Sequence, residues 1–177
     1  SRAQCLTPEL LRPLLRRRPF SMHKGQAGRV GILAGSRGLT GAARLAAMGA
    51  VAAGAGLVTL FCLHDVYEIL AASCPPEVMV RPVHSCREVM AWNLDAIGLG
   101  PGLGPAPPSY LVPLLRDDPR PLVVDADALN ARGSPCEVSI DQLVIQSDRL
   151  EDLRAAIRLY GRDTHLGHHL EDPLAQG

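Results

Sequence analysis

Short runs of apolar residues alternate with glycine-rich loops and helix-like segments along most of the chain. Continuous apolar runs predict buried strands at residues 29–33, 57–61, 77–80, 96–99 and 121–124. Apolar residues at helical spacing between them predict helices at residues 7–17, 42–53, 65–72 and 109–115. Strands that are apolar throughout and separated by helices are typical of a parallel sheet covered on both faces. The pattern therefore predicts an α/β fold.

The pattern changes near the end of the chain, so residues 1–132 are predicted to form one domain and residues 133–177 a divergent tail. In the tail, one helix is predicted at residues 149–160, with an apolar face made by Leu150, Leu153, Ile157 and Tyr160. The remainder is predicted to be disordered or poorly packed. It contains three histidines, His165, His168 and His169, but no Cys or convergent carboxylate completes a metal site. None of these histidines is therefore assigned as a metal ligand.

Composition narrows the class of protein. The 177 residues suffice for a domain with its own core, and the 18 basic residues balance the 18 acidic ones. A balanced charge predicts neither a nucleic-acid nor a membrane partner, and no apolar stretch has the length of a membrane span. Five cysteines, without a C-x-x-C pair, favour neither a disulfide scaffold nor a zinc site. We therefore expect a reducing compartment: the cytoplasm, or the mitochondrion if the source is eukaryotic.

A glycine-rich loop follows the first predicted strand and opens a helix. Backbone N–H groups of glycines can approach an anion closely, and a helix N-terminus adds partial positive charge. The spacing fits neither a Walker A loop nor the G-x-G-x-x-G dinucleotide fingerprint. A tight turn without a ligand is an equally good interpretation. The candidates for phosphate binding are Gly35, Ser36, Gly38, Thr40 and Gly41.

Two more loops follow the fourth and fifth predicted strands. Residues 100–104 read Gly-Pro-Gly-Leu-Gly, which is explained either by unusual backbone angles at a strand exit or by a flat surface for a planar ligand ring. In an extended segment, Asp125 and Asp127 would point to one face and could hold Mg²⁺ through water. N-capping of the next helix by Asp127 is at least as good an explanation. Because ligands bind beyond the carboxyl ends of parallel strands, we expect all three loops to converge.

Taken together, these residues resemble one family. The segments that carry the resemblance are His23-Lys24-Gly25, Ala34-Gly35-Ser36 with Thr40-Gly41-Ala42, Gly54-Ala55-Gly56-Leu57-Val58, Gly100-Pro101-Gly102-Leu103-Gly104 and Asp125-Ala126-Asp127-Ala128-Leu129-Asn130. Each motif is weak alone, but in this order and spacing they are similar to the dehydratase domain of NAD(P)H-hydrate repair proteins, over roughly residues 6–132.

The resemblance implies a ribokinase-like fold, which is a three-layer α/β/α sandwich with a mostly parallel sheet. It implies repair of the S-form of NAD(P)H hydrate, driven by ADP, or by ATP in eukaryotic members, with Mg²⁺. The implied route is phosphoryl transfer to the hydrate hydroxyl, followed by loss of phosphate. Members of the family tend to oligomerise, so a homo-oligomer or association with a full-length subunit is expected.

The resemblance also places individual residues. Ala42 would lie beside the hydrated nicotinamide nucleotide, and Gly102 and Gly104 would line the same ligand. Three polar residues would form the floor of this site and would hold Mg²⁺ there: Asp125, Asp127 and Asn130.

Three later segments of the family are not found after Asn130. They are a Thr-Pro-His-Pro-Gly-Glu segment that holds substrate, a Lys-Gly strand end, and a Gly-Thr-Gly-Asp loop that binds nucleotide phosphates and supplies the Asp base. The catalytic residue is therefore unassigned, and we expect the second half of the sheet to be incomplete, one sheet edge to be exposed and the chain alone to be inactive. The alternative is a non-catalytic nucleotide-binding or regulatory fragment that pairs with a full-length subunit.

Overall fold

The computed structural model of the chain describes residues 18–105, 108–129 and 143–145. Several predictions concern other parts of the chain and so lie outside the described residues. They are the helix at residues 7–17, the binding residue Asn130, the helix at residues 149–160 and the sheet edge expected after it.

Strands and helices alternate along the described residues, as the sequence predicts. The strands are β1 (Arg29–Leu33), β2 (Leu57–Cys62), β3 (Val78–Pro82), β4 (Ala96–Leu99), β5 (Leu122–Val124) and β6 (Leu143–Ile145). The helices are α1 (Thr40–Ala52), α2 (His64–Ser73), α3 (Cys86–Met90), α4 (Pro108–Asp117) and α5 (Ala126–Leu129), and a short 3-10 helix (Lys24–Ala27) precedes β1. Each predicted element within this part of the chain is present. No helix among these described residues is both long and apolar enough to cross a membrane.

Two elements, α3 and β6, were not predicted from the sequence. A capping box holds the start of α3: Glu88 accepts hydrogen bonds from the backbone N–H groups of His84 (2.9 Å) and Ser85 (3.1 Å). The S-x-x-E pattern at Ser85 and Glu88 is a recognised helix-start signal, and it could have revealed this helix. β6 has only three residues and follows a segment for which no element was predicted.

The six strands form one sheet in which every pairing is parallel, and their order is β3-β2-β1-β4-β5-β6. From β1 the chain first builds outward through β2 and β3. It then returns to the other side of β1 with β4 and builds outward again. The loops after β1 and β4 therefore leave the sheet side by side at the point where the strand order reverses. Open α/β sheets bind their ligands at such a switch point.

Helices cover both faces of the sheet and give three layers. Along β1, Ile32 joins the core beneath α1 and α2, whereas Leu33 joins the core beneath α3 and α4. Alternation follows from the geometry of a strand, in which successive side chains point to opposite faces. α1 contributes only small side chains to its core, Ala43 and Ala47, so it lies close against the sheet. The α/β/α sandwich predicted from the resemblance is confirmed.

Polar contacts close the amino-terminal ends of the strands, which we call the amino edge. The backbone N–H of Arg29 donates to the carboxylate of Asp95 (2.7 Å), and the N–H of Asp95 donates to the carbonyl of Arg29 (2.8 Å). These bonds tie β1 to the segment that enters β4. The contact fixes the register of the two strands that flank the switch point.

A buried ion pair completes the amino edge. Arg120 donates from Nε to Asp118 (2.7 Å) and from its guanidinium to the carbonyls of Trp92 (2.6 Å) and Met90 (3.3 Å). Its partner Asp118 has only 1% of its side chain exposed. Burial alone would raise the pKa of Asp118, but hydrogen bonds from Arg120 outweigh this effect and hold the pKa below its ordinary value. The pair joins the segment before β4 to the segment before β5.

Candidate functional site

The two glycine-rich loops touch each other at the opposite, carboxyl edge of the sheet. The N–H of Gly35 donates to the carbonyl of Pro101 (3.0 Å), and the hydroxyl of Ser36 donates to the carbonyl of Gly102 (2.9 Å). The two loops lie 66 residues apart in sequence, and they meet because β1 and β4 are neighbours. The prediction that they share one edge is therefore confirmed.

The backbone at Gly102 shows why the contact between the two loops needs a glycine at this position. Its φ is +63°, a conformation that side chains disfavour. A Cβ placed there would lie 2.6 Å from the carbonyl oxygen of Leu39 and 2.9 Å from the Cβ of Ala42. The second loop thus packs with bare backbone against the start of α1. Ala42 and Gly102, which the resemblance assigns to one ligand, are in direct contact.

The third loop joins the same edge through Asp127. Its Oδ2 accepts a hydrogen bond from the N–H of Gly104 (3.0 Å), so the carboxylate fixes the end of the second glycine loop. The extended segment assumed for the two aspartates does not occur, because α5 begins at Ala126. Asp127 is already inside this helix and is not its N-cap. Asp125 lies at the end of β5, where its N–H donates to the carbonyl of Leu99 (2.9 Å).

The start of α1 supplies donors for an anion. Its N-cap residue is Leu39, which makes no side-chain hydrogen bond to the first turn. The first N–H groups of a helix need an acceptor from outside the helix, and a leucine side chain has none. Thr40 and Gly41 therefore begin a 13-residue helix with N–H groups that no side chain caps. This arrangement favours binding of a phosphate or carboxylate.

Gly35 contributes differently from its neighbours. Its N–H already bonds to Pro101, so it joins the loops and has no free donor for an anion. Gly38 and Gly41 instead border open space, since a Cβ at either would meet nothing within 4 Å. The surface that could receive a ligand, which we call the glycine cradle, consists of Gly38, Thr40, Gly41, Ala42, Gly102 and Gly104. Pro101 is the residue that sequence reasoning did not place in the site, although its carbonyl holds the loops together.

Among the described residues, neither the cysteine thiol at the end of β2 nor any group of metal-binding side chains is suited to catalysis. Cys62 ends β2 and is fully buried. Burial raises the pKa of its thiol to about 11, with smaller contributions from Cys74 and Asp65, so the thiol stays protonated and a poor nucleophile. Across the described ranges, no three His, Cys, Asp or Glu side chains come together as a metal site. The site's chemistry therefore rests on backbone donors and on the two aspartates.

Sequence comparisons agree with this geometry. The sequence profile of the NAD(P)H-hydrate dehydratase family matches residues 30–143. An ATP-dependent (S)-NAD(P)H-hydrate dehydratase of Aedes aegypti is 39% identical over 118 residues, covering 60% of this chain and 35% of the relative. A bifunctional NAD(P)H-hydrate repair enzyme of Moorella thermoacetica is 39% identical over 146 residues, covering 75% of this chain and 28% of the relative. The chain thus spans about a third of the length of the curated relatives it matches.

Solved structures give the same answer. An ADP/ATP-dependent NAD(P)H-hydrate dehydratase from Bacillus subtilis, co-crystallised with ATP/Mg²⁺, superposes with a TM-score of 0.66 at 25% identity, covering 88% of this chain and 55% of that one. A ribokinase-like superfamily protein from Enterococcus faecalis superposes with a TM-score of 0.68 at 23% identity, covering 87% and 62%; this likeness shows the fold alone. The family profile matches more than half of the chain, and the sheet and loops fit it. The chain therefore belongs to the NAD(P)H-hydrate dehydratase family, a family of lyases with a ribokinase-like fold.

Proposed function

We propose that the glycine cradle holds the hydrated nicotinamide nucleotide of an NAD(P)H-hydrate dehydratase. The observation that carries this proposal is the direct contact between the loops after β1 and β4, through Gly35, Pro101, Ser36 and Gly102. This contact lies at the switch point of the sheet, where a ligand is expected. The full reaction would be the ADP- or ATP-dependent removal of water from the S-form of NAD(P)H hydrate, which restores NAD(P)H.

Each part of the cradle has a chemical use in this proposal. The uncapped N–H groups at the start of α1 would bind a phosphate of the dinucleotide. Gly102 lets the second loop pack against the start of α1, and this packing would present the backbone of both loops to the nicotinamide ring. Asp127 holds the N–H of Gly104 and so keeps this surface in place. The residues thus orient a ligand, which is the main requirement of phosphoryl-transfer chemistry.

The nucleotide and the metal ion are proposed from the relatives. The Aedes aegypti relative is named as ATP-dependent, and the Bacillus subtilis relative was co-crystallised with ATP/Mg²⁺. The donor set fits, since Mg²⁺ commonly uses one or two carboxylates together with phosphates and water. In this chain, the oxygen of Asp127 that does not bond to Gly104 would supply one of those carboxylates. When bound, Mg²⁺ with the nucleotide would supply a transferable phosphoryl group and neutralise its charge.

An assay with two readouts tests the proposal. The chain is incubated with hydrated NADH, with ADP or ATP and with Mg²⁺, while its melting temperature is followed against NADPH concentration. We expect no turnover by the chain alone, but a saturable rise in melting temperature. Gly102→Ala should abolish this rise, whereas Gly49→Ala, which has open space around it in α1, should preserve it. A wild-type chain that no nicotinamide nucleotide stabilises would contradict the proposed cradle, and rapid turnover would contradict its inactivity.

Self-association, or association with a full-length subunit, is part of the same proposal. Large apolar side chains on the outer surfaces of α1 and α2 remain exposed: Leu45 (71%), Met48 (45%) and Ile69 (55%). Sedimentation of the wild-type chain and of Leu45→Glu tests it. We expect the wild type to sediment as an oligomer and the variant to shift toward the monomer, while a monomeric wild type would refute self-association.

A cytoplasmic location is likewise proposed, and fractionation of the source cells tests it.

A further inference from the structure

Two histidines stack on each other beside the glycine cradle. His64 begins α2 shortly after β2 ends, and His84 follows the end of β3. Because β2 and β3 are adjacent and parallel, the two side chains meet at the carboxyl edge, with ring centroids 4.1 Å apart and planes inclined by 23°. Both residues are exposed to solvent. The pair lies at the same sheet edge as the cradle. It lies on the β2 side of β1, whereas the second glycine loop lies on the β4 side.

The carboxylates near these rings already have partners. Asp65 accepts a hydrogen bond from Nε of Arg37 (3.1 Å), and Glu88 accepts the backbone N–H groups at the start of α3. Within the residues that the structure describes, neither imidazole makes a hydrogen bond or an ion pair. The nitrogens of His64 and His84 therefore remain available to a ligand.

The geometry of the pair favours an anion over a metal ion. Two ligands of one metal must point their lone pairs at a common point, whereas nearly parallel rings point theirs in nearly parallel directions. An anion with several oxygens can instead accept one N–H from each ring, and a protonated ring adds charge. Arg37 adds a positive charge at the same sheet edge: its Nε pairs with Asp65, the residue that follows His64 in α2.

Arg37 also links the histidines to the cradle. It lies in the first glycine loop, between Gly35 and Gly38, and its side chain is 81% exposed. Arg37 and Asp65 thus join the loop that faces the proposed ligand to the start of α2, where His64 lies. A ligand with one phosphate on the cradle and a second phosphate farther along the edge would contact both regions.

We propose that His64, His84 and Arg37 form a second anion site that binds a terminal phosphate group of a nucleotide bound at this sheet edge. The assignment of the ligand rests on the proposed function, whereas phosphate binding by itself does not. The phosphate group has two possible sources: the 2′-phosphate that distinguishes NADPH from NADH, and the terminal phosphate of the phosphorylating nucleotide. The 2′-phosphate would make this site the determinant of preference between the two hydrates.

Titration with inorganic phosphate, followed by NMR of the histidine ring protons of the full chain, tests the site directly. Signals are assigned with His64→Gln and His84→Gln, and chloride at equal ionic strength serves as the blank. We expect saturable shifts for His64 and His84, with none for His23, which precedes β1 and lies away from this edge. Equal or absent shifts at all three histidines would overturn the proposal. This test is independent of the cradle, so it separates failure of this site from failure of the proposed function.

A second titration identifies the source of the phosphate. Affinities of the wild type and of the double variant His64→Gln, His84→Gln are compared for NADP⁺, NAD⁺ and ADP. We expect the double variant to lose about tenfold in affinity for one phosphorylated ligand, which corresponds to one charge-assisted hydrogen bond. A loss for NADP⁺ alone assigns the 2′-phosphate, and a loss for ADP alone assigns the nucleotide. Unchanged affinities for all three ligands would overturn the assignment to a bound nucleotide.

Discussion

The two edges of the one parallel sheet are built in opposite ways. At the amino edge, side chains bond to backbone or to each other across neighbouring segments, as in Asp95 with Arg29 and in Arg120 with Asp118. At the carboxyl edge, the central loops are glycine-rich and bond to each other at the backbone, directly as in Gly35 with Pro101 or through one side chain as in Ser36 with Gly102. The amino edge therefore leaves little room for a ligand, whereas the carboxyl edge offers backbone N–H donors and open surface to one.

This difference separates stability from binding within one fold. A buried ion pair that is fully hydrogen-bonded holds segments in register, and breaking it is costly. A glycine-rich loop covers little of its own backbone with side chains, so a ligand can reach that backbone. Substitutions at the amino edge should therefore lower the free energy of unfolding, and substitutions at the carboxyl edge should mainly lower ligand affinity.

Gly56→Ala should have the largest effect on stability. Gly56 precedes β2 at the amino edge, and a Cβ there would lie 1.7 Å from the carbonyl oxygen of Lys24. Backbone would have to move, since no flexible side chain can yield, so we expect a loss of about 4 kcal/mol in the free energy of unfolding. Urea denaturation measures it. Gly49→Ala is the control, because open space surrounds that helical position and alanine should add about 1 kcal/mol. Equal stability of both variants would show that close backbone packing at Gly56 does not stabilise the amino edge.

Asp118→Asn should come next, with a loss of about 3 kcal/mol, because it leaves Arg120 partly buried without its countercharge. Asp117→Asn is the matched control. Asp117 pairs with Arg116 at the surface, where its loss should change the free energy of unfolding little. Thermal and urea denaturation of both variants measure the contrast. Equal losses at the two neighbouring aspartates would show that the ion pair at Asp118 does not stabilise the amino edge.

The same ion pair predicts a pH dependence. The pKa of Asp118 is lower in the folded chain than in the unfolded one, so the folded state binds fewer protons in acid. The stabilisation is fully present above the ordinary carboxyl pKa, about 3.9, and is lost as the pH falls below it through the folded value. Denaturation midpoints between pH 6 and pH 2 should fall less steeply in Asp118→Asn than in the wild type. Parallel curves would contradict this assignment.

Gly102→Ala tests the carboxyl edge. We expect a moderate loss of stability, about 2 kcal/mol, because of the positive φ and the contacts with Leu39 and Ala42. The larger effect should be on binding, since the new methyl group would push the second loop away from the start of α1 and so change the shape of the cradle. Calorimetric titration with NADPH measures it, and Asp118→Asn, examined at a temperature where it is folded, should bind like the wild type. Binding that survives in Gly102→Ala would place the ligand elsewhere.

Ser36→Ala should have the smallest effect. It removes one hydrogen bond between the loops, from the Ser36 hydroxyl to the carbonyl of Gly102, and leaves their backbone bond intact. We expect a loss of about 1 kcal/mol in the free energy of unfolding and a modest loss of affinity. Ser36→Thr keeps the hydroxyl and serves as the comparison in the same measurements. Identical behaviour of the two variants would show that this bond does not hold the loops together.

Local patterns were enough to predict most of the fold. The apolar runs located the first five strands, and the glycine motifs located the loops of the cradle. The pattern could not supply the strand order, because nothing near Gly102 indicates that β4 returns to lie beside β1. The bond between Asp127 and Gly104 depends on that order, and so does the stacking of His64 on His84. Helix α3 was missed because its five residues are too short to show periodicity, although its capping box was visible.

Mapping of backbone amide shifts by NMR during titration with NADPH tests the central claim most directly. We predict saturable shifts at the carboxyl edge, in the amides of Gly38, Gly41, Ala42 and Gly102, and unchanged amides at the amino edge, in Arg29, Asp95 and Arg120. Shifts confined to the amino edge, or no saturable shift in either group, would contradict a shared nucleotide cradle formed by the two glycine loops.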